Sequence, residues 1–210
     1  MVSAIAAPPQ VGLLTADEFY EWCNKPENTE RRFELVRGKV IEVPAPNKTH
    51  GVVCTNIIFA LGLYIRQRFE GYITSNDSGT LLERDPDTVR GPDVAYFNDA
   101  DSFAELHPKY GENPPILAVE VLSPSDRANR VLSKVEDYVN NGVQMVWLVD
   151  PDERTVRVFR PGLPSVTLSE SQEIVGGDVL PGFSCKLSEF FLIPKELTQQ
   201  SAPANAPPAN

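Results

Sequence analysis

Glu120 interrupts an otherwise apolar run in "PILAVEVLSPSD", residues 115–126. Ile116, Leu117, Ala118, Val119, Val121 and Leu122 are too continuously apolar for a half-exposed strand, so the run reads as a strand covered on both faces. A carboxylate inside it needs a charged partner, several donors or a metal ion, because an unpaired buried charge is expensive. A second acid, Asp93, follows Gly91-Pro92 in "RGPDVAY" and opens another short apolar strand. Taken singly, each acid has a plain explanation: turn chemistry at Gly-Pro-Asp, or one buried ion pair for Glu120. On neighbouring strands about 4.8 Å apart, however, two acids at matching height can share a divalent cation. Two carboxylates, waters and phosphate oxygens suit Mg²⁺, with Mn²⁺ as a substitute, and the Val121 carbonyl could add an oxygen. The helix that follows carries Arg130, Lys134 and Tyr138 at i, i+4 and i+8, one ridge along its surface. A solvated polar face is the ordinary use of such a ridge. Here the helix starts just past the Glu120 strand, so Lys134 could reach over the strand end that carries the acids.

The elements that must hold these residues follow from periodicity. Residues 1–13 read as a flexible arm, 14–195 as one domain, and the Ala/Pro/Asn-rich stretch 196–210 as a disordered tail. "LTADEFYEW" places Thr15 three residues before Glu18, a capping box that opens a short helix. "RFELVRGKVIEVP" is two alternating runs joined by Arg37-Gly38, a hairpin. "THGVVCTNIIFALGLYIRQRFEG" predicts a long helix capped by Thr49, with Val53, Ile57, Leu61, Tyr64 and Ile65 as its stripe and Gly71 at its end. Strands follow at "YITSNDSGTLLE", "GPDVAYF" and "PILAVEVL". A helix over "DRANRVLSKVEDYVNNG" has Leu132, Val135 and Val139 at core spacing, and a buried strand, "MVWLVD", comes after it. Further antiparallel strands run from "TVRVFRP" through "VTLSESQEIV". The central order is helix, three strands, helix, strand: an α/β (α+β) class fold, a mixed sheet flanked by helices, with an N-terminal hairpin and extra C-terminal strands.

Composition bounds the function. The chain has 210 residues, 41% hydrophobic and 23% charged, values of an ordinary globular chain. Three well-separated cysteines, Cys23, Cys54 and Cys185, form neither a CxxC pair nor an even set, so buried thiols in a reducing cytoplasm are expected. No apolar run reads as a membrane span and the N-terminus does not read as a signal peptide. The net charge of −10 weighs against a dedicated nucleic-acid binder, whose footprint is basic.

Together, "GPDVAY", "AVEVLSPSD", the spacing R-x₃-K-x₃-Y over 130–138 and "GVQMVWLVDP" resemble a family of small nucleases, abundant in cyanobacteria and long treated as a domain of unknown function. That family is similar to the PD-(D/E)xK superfamily, with its restriction-endonuclease-like αβββαβ core, and the resemblance extends upstream through "FELVRGKVIEVPAPNKTHG". It implies that Pro92-Asp93 is the PD and Glu120 the following acid. The superfamily lysine belongs at position 122, where this chain has Leu122, and the resemblance implies that Lys134 has taken over the role. Glu34 and His50 match family positions that extend the site; a helix-cap or surface role for His50 stays open. A homodimer is also implied.

The expected activity is therefore Mg²⁺-dependent endonucleolytic hydrolysis of phosphodiesters in DNA. Asp93, Glu120 and Val121 would hold the metal, Lys134 would act in catalysis, and Arg130 and Tyr138 would support. A groove lined by Arg90, Arg127, Arg130 and Lys134 would answer the acidic net charge. The alternatives are an inactive nuclease-fold module for binding or assembly, which the net charge favours, and an acid–base hydrolase whose activity would survive chelation.

Overall fold

The computed structural model describes residues 12–124 and 128–194. Most of the expected arm, the whole of the expected tail and Arg127 of the expected groove lie outside these residues.

Helix α1 (Ala16–Cys23) opens with the expected capping box, Thr15 and Glu18 each bonding the other's backbone. Strands β1 (Arg32–Val36) and β2 (Lys39–Val43) form the expected hairpin. Arg37 and Gly38 both have positive φ, 48° and 75°, the twist that a two-residue hairpin turn needs. Helix α2 (Lys48–Arg68) is capped by Asn47 rather than Thr49. The Asn47 side chain accepts from the His50 N–H at 2.8 Å, and Thr49 already lies inside the helix. Val53, Ile57 and Leu61 are buried in the core as the stripe requires. The expectation that no segment resembles a membrane span needs correction: α2 is 21 residues long, and an 18-residue stretch of it has a mean hydropathy of 1.2, enough by length and composition alone. Its inner face packs into the protein core instead.

The stretch read as one strand over 72–83 is two. Strands β3 (Tyr72–Ser75) and β4 (Thr80–Glu83) are separated by Asn76 and Asp77, with φ of 59° and 52°. Short polar side chains tolerate this left-handed backbone, and the chain turns there into a different sheet. Strand β4 pairs with β5 (Thr88–Arg90) in a four-stranded sheet ordered β2-β1-β5-β4. Strand β3 instead joins β6 (Val94–Phe97), β7 (Leu117–Val121), β8 (Met145–Asp150), β9 (Thr155–Arg160) and β10 (Leu163–Ser169) in a six-stranded sheet. Its order is β10-β9-β8-β7-β6-β3, antiparallel except for β7 and β8. Helix α3 (Ala128–Asn140) makes the crossover between those two parallel strands. The path α2-β3-β6-β7-α3-β8 is the expected αβββαβ core, with β4 and β5 as an excursion into the smaller sheet. Strands β11 (Glu173–Val175) and β12 (Ser184–Lys186) make a further small ribbon.

The two faces of the six-stranded sheet are covered differently. Leu117, Val119, Val121 and Trp147 join the cluster that includes Val53, Ile57 and Leu61 of α2. Ala118 and Val146 join Val135 and Tyr138 of α3. Alternation along β7 thus puts Glu120, two residues after Ala118, on the α3 side. In α3 the buried residues are Val135, Asp137 and Tyr138, whereas Leu132, expected in the stripe, is 42% exposed. At 3.6 residues per turn this centres the inner face near Lys134 and Tyr138, about a third of a turn from Leu132. The rotation that exposes a leucine turns the lysine inward.

Candidate active site

The register of β6 and β7 brings the two acids together. Val94 pairs with Val119 and Ala95 with Ala118, so one further step sets Asp93 opposite Glu120. Directly opposed residues on an antiparallel pair have Cβ atoms about 4.5–5.5 Å apart. Asp93 Oδ2 accepts from the Val121 N–H at 2.7 Å, and Oδ1 lies 3.0 Å from His50 Nε2. Glu120 Oε1 accepts from the Tyr138 hydroxyl and Oε2 from Lys134 Nζ, both at 2.7 Å. Lys134 Nζ is also 3.0 Å from Glu34 Oε1 and 3.5 Å from the Gly91 carbonyl oxygen. Gly91 is required there: a Cβ would stand 2.5 Å from the Asp77 carbonyl oxygen.

Behind these residues a buried chain of charge joins the two sheets to α3. Arg90 donates through one terminal nitrogen to Glu34 Oε2 at 2.7 Å. Through Nε and the other terminal nitrogen it donates to Asp137 Oδ2, at 2.9 and 2.6 Å. The expected place of Arg90 in an open groove is therefore wrong. It is 3% exposed, and both ends of its guanidinium are paired. Its partners lie 47 and 56 residues away in sequence, which is why spacing could not reveal them.

Of the other expected residues, Tyr138 is fully buried and points at Glu120. His50 is 8% exposed and its ring faces Asp93, so it is neither a surface residue nor the helix cap. Arg130 is exposed at the mouth of the cavity, and among the described residues no carboxylate pairs with it. The contact Val121 makes with the acids is through its N–H. Sequence reasoning passed over Asp137 and Cys54; the i, i+4 spacing of His50 and Cys54 on one helix was the available signal, and Cys54 Sγ lies 3.5 Å from His50 Nδ1.

The electrostatics follow from three carboxylates crowded round one ammonium group. Burial, then the charges of Asp93 and Glu34, push the Glu120 carboxyl up to about 7 against the pull of Lys134. Burial works to lower Lys134, but Glu120, Glu34 and Asp93 overcome it and hold the ammonium above its ordinary range. Burial likewise opposes ionisation of Glu34, yet Lys134 and Arg90 prevail and lower it. The two ends of the Glu120–Lys134 pair differ because Lys134 faces three anions, whereas Glu120 faces one close cation and two like charges.

These residues fit a divalent ion. A cavity of about 80 Å³, lined by Glu34, His50, Asp93, Glu120, Val121 and Lys134 among others, has room for an ion with several waters. A single water needs about 10–15 Å³ by the same measure. A carboxylate oxygen carries two lone-pair sites, so the donors already bound to Asp93 and Glu120 do not exhaust their coordinating capacity. Hard oxygen donors of this kind suit Mg²⁺ or Mn²⁺.

An αβββαβ core with opposed acids at its strand ends has the architecture of the restriction-endonuclease-like nucleases. The chain belongs to the Uma2 family, described as "Putative restriction endonuclease", whose profile matches residues 16–188. In fold it is similar to a "putative nuclease belonging to DUF820" from Anabaena variabilis ATCC 29413, with a TM-score of 0.69 and 22% sequence identity. The match covers 85% of this chain and 97% of that one. No curated protein matches the chain significantly.

Proposed function

We propose that the protein is a divalent-metal-dependent endonuclease that hydrolyses phosphodiester bonds in DNA. The observation that carries this reading is the Lys134 ammonium at 2.7 Å from Glu120, on the strand whose neighbour sets Asp93 opposite. Leu122 leaves the usual lysine position apolar, and α3 delivers an ammonium to the same acid.

Asp93 and Glu120, with the Val121 carbonyl, would hold Mg²⁺ or Mn²⁺. When bound, the cation lowers the pKa of a water and offsets charge on the phosphate. The remaining work belongs to the side chains. His50 and the Val121 N–H fix the Asp93 carboxylate, and Tyr138 fixes Glu120. Glu34 and the Gly91 carbonyl hold Lys134 so that its ammonium can orient the attacking water and stabilise charge building on the phosphoryl oxygens. Arg130, exposed at the cavity mouth, can meet the phosphate backbone. Family resemblance suggests a homodimer, and the cysteine usage of the sequence suggests a cytoplasmic setting.

Plasmid nicking with and without Mg²⁺, wild type beside Asp93→Ala, tests the reading. Cleavage should require both the metal and Asp93. Cleavage unaffected by chelation would favour acid–base hydrolysis. One observation favours an inactive binding module: Lys134 already has two carboxylates and a carbonyl around it. Wild type without cleavage on any DNA form in Mg²⁺ or Mn²⁺ would decide for that module.

A further inference from the structure

Cys54 has no part in the chemistry above, yet it stands beside two of its residues. His50 and Cys54 lie one helical turn apart at the start of α2, with Sγ 3.5 Å from Nδ1. On its other side the imidazole is 3.0 Å from Asp93 Oδ1. One ring nitrogen, the sulfur and one carboxylate oxygen all lie within 4.8 Å of one another. We propose that His50, Cys54 and Asp93 form a second, thiophilic metal site that binds Zn²⁺ and, by engaging Asp93, competes with the hard-cation site. The proposal shares Asp93 with the nuclease reading but does not depend on it.

The donor set supports the choice of metal. Sulfur, imidazole and one carboxylate form a borderline-soft trio that selects zinc-like ions over Mg²⁺, which takes oxygen. Zinc bonds of about 2.0–2.3 Å in tetrahedral geometry put donor atoms roughly 3.3–3.8 Å apart. Sγ faces Nδ1 whereas Asp93 faces Nε2. An ion held by one ring nitrogen therefore requires the sulfur or the carboxylate to swing round to it, closing separations of up to 4.8 Å. Three protein donors leave a fourth position for water, as in exchangeable rather than purely structural zinc sites. Without an ion the site resists deprotonation: burial, then the charges of Asp93 and Glu120, push the Cys54 thiol up to about 12. A bound cation reverses that field and displaces the thiol proton to solvent as the metal–sulfur bond forms. The other two cysteines lie elsewhere, Cys23 at the end of α1 and Cys185 on β12, and give a built-in control.

The test is titration of metal-free protein with Co²⁺, read by the sulfur-to-cobalt charge-transfer band in the near ultraviolet, and with Zn²⁺, read by thermal shift. Wild type and the Cys23→Ser, Cys185→Ser double variant should show the band and the shift. Cys54→Ser should lose the band and bind Zn²⁺ at least about tenfold more weakly, while keeping its Mg²⁺ response. Zn²⁺, but not Mg²⁺, should also slow alkylation of Cys54 in the wild type, a readout that needs no variant. Absence of the band in wild type, its survival in Cys54→Ser, or alkylation of Cys54 unaffected by Zn²⁺ would overturn the proposal. Failure of DNA cleavage in Mg²⁺ with the band intact would count against the nuclease reading alone.

Discussion

Lys134 Nζ stands 2.7 Å from Glu120 Oε2, although 14 residues separate them and they belong to different elements. The contact goes with an orientation of α3 that turns its Lys134–Tyr138 side to the sheet and leaves Leu132 in solvent. Lys134→Ala should therefore act in two ways. Metal-dependent cleavage should fall about 100- to 1000-fold, the usual consequence of removing one electrostatic contact to a transition state. The apo protein should also lose about 3–5 kcal/mol at pH 8, because a buried ion pair is broken from one side. That destabilisation should shrink at pH 5.5, where Glu120 takes a proton, and in the presence of Mg²⁺. Urea denaturation at both pH values measures it; full cleavage activity in the variant would sink the assignment of Lys134.

Glu120 titrating near 7 gives the apo protein a defined pH response. Its folded-state value lies above the ordinary 4.5, so between about pH 4.5 and 7 the folded protein binds more protons than the unfolded chain. This group's contribution is therefore most favourable below that window, declines as pH rises through it and is flat above. Cation binding runs the other way. Below pH 7 the ion must displace the Glu120 proton, so Mg²⁺ or Mn²⁺ affinity should climb by up to about tenfold per pH unit and level off above. Thermal shift by Mn²⁺ across pH 5.5–8.5 would show this, and Asp93→Asn should abolish the shift. An affinity independent of pH would place the ion elsewhere.

Much of this site was legible in the sequence because its acids violate local expectation. Glu120 interrupts a run that can only be a buried strand, and Asp93 sits at a Gly-Pro entrance to its neighbour. The Arg37-Gly38 turn and the αβββαβ order were legible from turn chemistry and period alone. Three features were not. The left-handed pair Asn76-Asp77 lies inside a stretch whose flanking apolar residues read as continuous, so the excursion of β4 into the second sheet was hidden. Arg90 looks exposed by residue type and is buried only because Glu34 and Asp137 converge on it from distant segments. Leu132, Val135 and Val139 define an apolar stripe, but the helix is rotated off it by the polar bonds of Lys134 and Tyr138 to Glu120.

Arg90→Lys tests the buried charge chain. It keeps the charge, but an ammonium cannot reproduce the fork that reaches Glu34 and Asp137 together. Each lost bond to a charged group is worth about 1.5–3 kcal/mol, so the variant should be substantially less stable, with cleavage reduced because Glu34 no longer holds Lys134 firmly. Denaturation midpoints and turnover report the two effects. Stability within about 0.5 kcal/mol of wild type, the range of an ordinary surface substitution, would refute a bracing role.

Position 122, where the family resemblance implies a lysine and this chain has Leu122, offers a further test. Residues 120 and 122 point to the same side of a strand, and Leu122 lines the cavity together with Glu120 and Asp93. An ammonium introduced there would approach Glu120 from β7 rather than from α3. If Lys134 serves by placing positive charge beside Glu120, then Lys134→Ala combined with Leu122→Lys should recover part of the lost cleavage. The double variant should also pull the Glu120 carboxyl back down, because the close cation that opposes burial and the Asp93 and Glu34 charges has been restored. Recovery should not be complete, since Glu34 and the Gly91 carbonyl are placed to hold an ammonium that arrives from α3. Cleavage rates of the single and double variants, with the pH dependence of Mn²⁺ binding in each, separate charge from position. A double variant that binds Mn²⁺ with the wild-type pH profile yet cleaves no faster than Lys134→Ala would show that the α3 geometry matters as well as the charge.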